Sequence, residues 1–226
     1  MTPVVFVAVV VVTIALGLFL AWYFSADQRL MRRMRGTPQR AIADVVEGER
    51  VRVVGRVRVE APLAAPLSAR PCAYYRVVVE EQRRRGKSTY WFTVVDEERG
   101  VDFLLEDGTG VARVPIGHVQ AVLEGDARGK SGFLRDPTPE LEAFLAARGL
   151  ATTGWLFNKT IRYREGVAEP GELVAVVGTG RWERDPEASA KAGDGYREAT
   201  MPKRLVLEAP SDGPLLLSDE TNVTAR

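Results

Sequence analysis

The sequence predicts a mainly β (α+β) fold: an N-terminal transmembrane helix, then one β-rich, barrel-like antiparallel domain with two short helices. Three observations predict it. An uncharged run, VVFVAVVVVTIALGLFLAWYF, fills residues 4–24. Beyond it valine alternates with charge, as in RVRVVGRVRVE, at the period of two that a half-buried strand requires. Turn residues then divide the remainder into hairpins, and only two windows carry a helical period. The chain has 226 residues, 46% hydrophobic and 27% charged, which suits one ordinary domain plus an appendage.

The apolar run comes first. At about 1.5 Å per residue, a helix of that length crosses a hydrocarbon core of about 30 Å. In lipid the backbone must satisfy its own polar groups, so a helix forms despite the many valines. Trp22 and Tyr23 stand at one end, where amphipathic rings favour the interface. No Lys or Arg precedes the run and no clean small-x-small site follows, so an uncleaved anchor is expected rather than a signal peptide. Residues 1–26 are therefore read as the transmembrane anchor.

Residues 27–36 form a basic juxtamembrane collar. Arg29, Arg32, Arg33 and Arg35 follow the run, which by the positive-inside rule places the C-terminal domain in the cytoplasm of a single-pass protein. These arginines either touch anionic headgroups or only set topology.

A helix is expected next, capped by Thr37, opened by Pro38 and ended by Gly48, with Ile42, Val45 and Val46 on one face. The phrase GERVRVVGRV (48–57) then reads as a strand. CAYYRVVVEEQ and TYWFTVVDEE read as two more, joined by the tip RRRGKS (83–88). VDFLLEDGTGVARVPI is a further hairpin, in which Asp107-Gly108 and Gly110 supply the positive-φ positions of a tight turn. A second helix has Thr138 as cap, Pro139 at its start, Gly149 at its end, and Leu141, Phe144 and Leu145 as its apolar stripe. NKTIRYREG and GELVAVVGTGRW return to strands. A polar loop, one last strand (KRLVLEA), a short apolar clip (GPLLLSDE) and a loose tail at 221–226 complete the chain.

Two phrases echo each other: GERVRVVG at 48–55 and GELVAVVG at 171–178. A tandem repeat should echo more than one strand in order, and the strands that follow differ. Two similar strands of one domain are the better reading.

The residue inventory excludes much chemistry. There is one cysteine, Cys72, and one histidine, His118, which permits no intrachain disulfide and no Cys-rich zinc site. Lone cysteines are mostly small buried hydrophobes. GDARGKS and EQRRRGKS lack the first glycine and the spacing of a phosphate loop, so their GKS is read as turn chemistry. No catalytic group, cofactor or metal ligand set is expected. The acidic clusters Glu80-Glu81 and Asp96-Glu97-Glu98 are read as solvated charge. With 31 basic and 30 acidic residues, the chain does not look like a nucleic-acid binder. Arg83, Arg84 and Arg85 at the hairpin tip, with Arg32, Arg33 and Arg35, are the candidate membrane contacts. Trp155 and Phe157, in GWLFNK, serve either core packing or a membrane- or partner-binding loop.

Three segments resemble the GIDE domain, also called BAM (beside a membrane), over residues 37–220. They are APLSARPCAYYRVVVEE, with Cys72 and Tyr75; DFLLEDGTGVARV, with Asp107, Gly108 and Gly110; and IRYREGVAEPGELVAVVG, with Tyr163, Glu165, Pro170, Gly171 and Gly178. The resemblance implies structural roles for these residues and partners among membrane-associated proteins. In the family, the mitochondrial E3 ubiquitin ligase MULAN owes its activity to a RING finger, whose Cys/His ligands this sequence lacks. A ligase-like role is thus implied by the resemblance but has no chemistry here. A membrane-anchored, non-catalytic binding module is the expectation; the alternative is an unrecognised membrane-side enzyme acting on lipid or envelope peptide through His118 or the acidic clusters.

Overall fold

The computed structural model describes residues 26–124, 127–131, 138–150, 160–185 and 202–225. The anchor expected at 4–24, most of the polar loop, and Trp155 and Phe157 lie outside them. Among the described residues no helix is long and apolar enough to cross a membrane.

Three helices are described: α1 (Ala26–Gly36), α2 (Pro139–Ala146) and α3 (Thr221–Thr224), with a 3₁₀ turn at Ile42–Asp44. The strands are β1 (Arg50–Arg58), β2 (Leu63–Ala64), β3 (Pro71–Cys72), β4 (Tyr74–Arg85), β5 (Ser88–Gly100), β6 (Phe103–Glu106) and β7 (Val111–Val114). They continue with β8 (Val119–Val122), β9 (Ala127–Ser131), β10 (Ile161–Ala168), β11 (Leu173–Arg184), β12 (Lys203–Glu208) and β13 (Leu215–Ser218).

Five strands close a barrel in the order β1-β6-β7-β12-β11 and back to β1. The run β11-β1-β6-β7 is a Greek key, and the closed five-stranded ring is of the OB type. The ring departs from the antiparallel expectation in one place, where β7 and β12 run parallel. β13 and β8 extend the sheet from β11 and are also mutually parallel.

The two echoed phrases are neighbours. β1 and β11 pair antiparallel, Val53 facing Val176 and Val54 facing Ala175, and this pairing closes the barrel. Their likeness is also local. Gly48 and Gly171 both turn the chain at positive φ, +78° and +85°, where glycine is at ease. The following glutamate in each case accepts a hydrogen bond from the backbone N–H three residues back, Glu49 from Val46 (3.4 Å) and Glu172 from Glu169 (2.8 Å). The closing glycines also match. A Cβ on Gly55 would lie 2.6 Å from the Glu106 carbonyl oxygen, and one on Gly178 2.8 Å from that of Glu208.

The valine doublets in these phrases have a packing reason. Val51, Val53, Val174 and Val176 fill the barrel with Leu105, Leu205 and Leu207. Val54, Ala175 and Val177 point outward, beneath Leu30, Met31 and Met34 of α1. The strands are thus buried on both faces, not half-buried as the alternating charge suggests. The collar is accordingly part of the domain. Leu30, Met31 and Met34 form its buried face, while Arg33 and Arg35 are exposed and Arg32 is half-buried. The tail is not loose: residues 221–224 form α3, and Val223 joins Leu30 and Met34 in the same cluster.

The helix expected after Thr37 shrinks to the 3₁₀ turn, and the Thr37 hydroxyl instead donates to the Arg33 carbonyl at the end of α1. Ile42 and Val45 are buried, but Val46 is 65% exposed, because so short a turn offers no continuous face. Asp107 holds this turn, accepting from Ile42 N–H at 2.7 Å and from Thr109 and Gly110 N–H in its own loop. Gly108 has φ +89°, as expected. Gly110 does not take positive φ; its missing Cβ makes room for Ile42 Cγ2, 2.9 Å from where that Cβ would stand.

A second sheet, β5-β4-β10-β9, is built from segments inserted between barrel strands. α2 packs on one face, Leu141, Phe144 and Leu145 meeting Tyr75, Val77, Val79 and Ile161. Its cap is as expected: Thr138 accepts from Leu141 N–H at 3.3 Å, and Gly149 leaves the helix at φ +69°. The GKS of residues 129–131 lies in strand β9, not in a turn, because it pairs along β10; the GKS of 86–88 does form a turn.

Candidate functional site

The face of the second sheet opposite α2 borders a cleft of about 720 Å³. β4 contributes Arg76, Val78 and Glu80, and β10 contributes Arg162, Arg164 and Gly166. β8 and the residues after it form another wall. Asp27 of α1 and Glu220 before α3 complete it. The alternation of a strand explains the set, since residues 76, 78 and 80 share one face, as do 162, 164 and 166. The two sheets can approach this closely because residue 166 is glycine, whose absent Cβ would lie 2.7 Å from Leu123 Cβ.

The cleft wall is held by two-pronged ion pairs. Arg76 donates to both carboxylate oxygens of Asp96, at 2.9 and 2.8 Å. Arg162 does the same to Glu80, at 2.6 and 2.9 Å, and its guanidinium lies 4.2 Å from the Trp91 ring. These hydrogen bonds hold the Glu80 and Asp96 carboxyls below their ordinary range and raise the two guanidinium groups further. The acidic clusters are therefore paired, contrary to the expectation of solvated charge. Glu97 takes Arg148 at 2.5–2.7 Å and the Tyr75 hydroxyl at 3.0 Å. Glu98 takes the Tyr74 hydroxyl at 2.7 Å, and Glu81, 3% exposed, meets Arg83 at 3.4 Å. The sequence shows the charges but not the strand register that brings β5 acids beside β4 partners and beside Arg148, just past α2.

This pairing has a pH signature. Burial works to raise the Glu97 and Asp107 carboxyls, but their donors outweigh it and hold both low, as Arg partners hold Glu80 and Asp96. Groups depressed in the folded state contribute their stability above the unfolded pKa, about 4, and lose it as pH falls through the lower folded values. Urea midpoints should be flat above pH about 5 and drop steeply below about 4. Substituting Glu97→Gln should make that drop shallower, and an unchanged acid limb contradicts the assignment.

The motif residues of the first and third segments serve the fold. Glu165 is fully buried and accepts from Leu67 N–H at 2.8 Å and Ser68 N–H at 2.9 Å, fastening the β2–β3 loop. Cys72 is buried, with its thiol donating weakly to the Leu63 carbonyl at 3.7 Å. Burial first, then the nearby Glu165 and Glu169 charges, pushes its pKa up to about 11. A thiol so placed is no nucleophile at neutral pH. Tyr163 is half-buried against the α2 cluster, and Pro170-Gly171 forms the turn into β11.

Among the described residues, none of the sequence-derived contacts lines the cleft. The Arg83–Arg85 tip is at the far end of β4, and Arg33 and Arg35 are on the exposed side of α1. His118 is exposed beside β8 and does not line the cleft. Among the described residues there is no group of three or more His, Cys, Asp or Glu side chains able to hold a metal ion. The cleft itself has no single residue in the sequence that announces it. The chain matches no family model, no curated protein and no solved structure.

Proposed function

We propose that this chain is a single-pass membrane protein whose cytoplasmic domain is a non-catalytic binding or scaffolding module of the GIDE type. One observation carries the reading. The described part of α1 starts at Ala26, two positions in sequence after the apolar run ends at Phe24, and buries Leu30, Met31 and Met34 in the domain. One residue, Ser25, separates them in sequence, so a bilayer holding residues 4–24 would hold the domain close to its surface. Confinement to that layer raises the effective concentration towards other membrane-associated proteins. The OB-type barrel hosts unrelated functions and assigns no ligand by itself.

A ligase-like role lacks its chemistry. A RING finger needs Cys/His zinc ligands, and the chain has one of each.

Matched pull-downs from membranes test the reading, using the full chain and a form lacking residues 1–25 whose circular dichroism is unchanged. The full chain should enrich membrane-associated partners, and equal recovery by both forms contradicts tethering. Ubiquitin transfer by the full chain without zinc would overturn the non-catalytic assignment.

A further inference from the structure

The β4–β5 ribbon outruns its sheet. β10 pairs with β4 only as far as Glu81, and among the described residues the last backbone contact from outside the hairpin is Gln82 N–H to the Thr160 carbonyl, 2.8 Å. Beyond it Arg83 faces Tyr90, Arg84 faces Thr89 and Arg85 faces Ser88, around a turn at Gly86 with φ +63°. Beyond Gln82 the hairpin extends about 10 Å past the described strands of its sheet, at about 3.3 Å per residue.

Its composition is unusual for a solvated tip. Tyr90 and Phe92 are 45% and 42% exposed, and with Val46 they are the exposed large apolar residues of the described chain. Arg83 stacks 3.7 Å above the Phe92 ring and Arg162 4.2 Å from Trp91, so both rings are braced by cations. Arg84, Arg85 and Lys87 are exposed and have no acidic partner among the described residues. Elsewhere Arg76, Arg113, Arg148, Arg162, Arg181 and Arg204 all have one. Cations with no acidic partner among the described residues, beside exposed Tyr90 and Phe92 and half-buried Trp91, match an anionic, amphipathic surface.

We propose that this hairpin docks on the anionic headgroup layer of the bilayer that anchors the chain. Arg84, Arg85 and Lys87 pair with lipid phosphates, and the exposed Tyr90 and Phe92 enter the interfacial layer. The proposal rests on the membrane anchoring above. Two features favour lipid over a protein partner. Asp27, three residues beyond the apolar run in sequence, lines the same cleft as Arg162, which stacks on Trp91, so the hairpin base and the described start of α1 border one cleft. The tip charges without an acidic partner among the described residues are all of one sign, complementary to phosphate.

The test uses the full chain with a polarity-sensitive dye on Ser88→Cys in a Cys72→Ala background. It is reconstituted in phosphatidylcholine vesicles with and without phosphatidylserine. The dye should shift to the blue and resist an aqueous quencher only with phosphatidylserine, and should be released as salt rises. The triple variant Arg84→Gln/Arg85→Gln/Lys87→Gln should lower the docked-to-free ratio about a hundredfold, about fivefold per basic residue. Equal quenching in both vesicles, or an unaffected triple variant, overturns the proposal. Protection that appears only when cell extract is added assigns the hairpin to a protein partner and also overturns it. Alkaline extraction of the same vesicles separates the two readings. A chain that washes out refutes the anchoring, whereas a retained chain with a solvent-exposed tip refutes the docking alone.

Discussion

Gly55→Val should destabilise the domain by about 3 kcal/mol, at the upper end of overpacking penalties. A Cβ at this position lies 2.6 Å from the Glu106 carbonyl oxygen and 2.9 Å from its carbon. Those are backbone atoms of β6, which cannot step aside as a side chain would. β1 and β6 share only the pairs Arg56–Glu106, Val57–Leu105 and Arg58–Leu104, so displacement there opens the barrel at a short seam. Gly178→Val should behave alike, since its Cβ would meet the Glu208 carbonyl at 2.8 Å. Gly36→Ala is the control: nothing lies within 4 Å of the added Cβ and φ is not positive, so urea midpoints should barely move. Equal midpoints for all three variants would contradict the seam.

Glu165→Ala should cost a comparable amount, about 3 kcal/mol, by a different route. The carboxylate is fully buried and accepts from two backbone N–H groups of the β2–β3 loop. Its loss strands two donors in a loop that already places Ala69 at φ +57°, a conformation costly for alanine. The same substitution removes one of the charges that raise the Cys72 thiol. Alkylation of Cys72 followed against pH should therefore show a pKa below about 11 in the variant. An unchanged thiol titration together with unchanged stability would refute the clamp.

Local chemistry was legible in the sequence wherever a single residue type determines it. The Thr138 cap with Pro139, the positive φ of Gly108 and the hairpin tip at Gly86 stand as read, whereas Asp107 and Gly110 keep negative φ. The reading failed where the cause is tertiary. Val46 lost its face because the turn at Ile42–Asp44 is governed by Asp107, from a distant hairpin. The collar arginines concealed a buried Leu30, Met31 and Met34 stripe, which needs the outer valines of β1 and β11 to make sense. The echo of 48–55 in 171–178 was visible, but not that the two strands touch. The cleft was invisible, because Arg76–Asp96 and Arg162–Glu80 depend on register across three strands.

Tethering is tested most directly by alkaline extraction of membranes containing the full chain. The chain should remain in the pellet, and replacing Val10 and Leu18 in the apolar run with arginine should release a folded domain to the supernatant. An unaltered chain released by alkali, with its domain intact, would contradict the membrane anchor on which the proposed function depends.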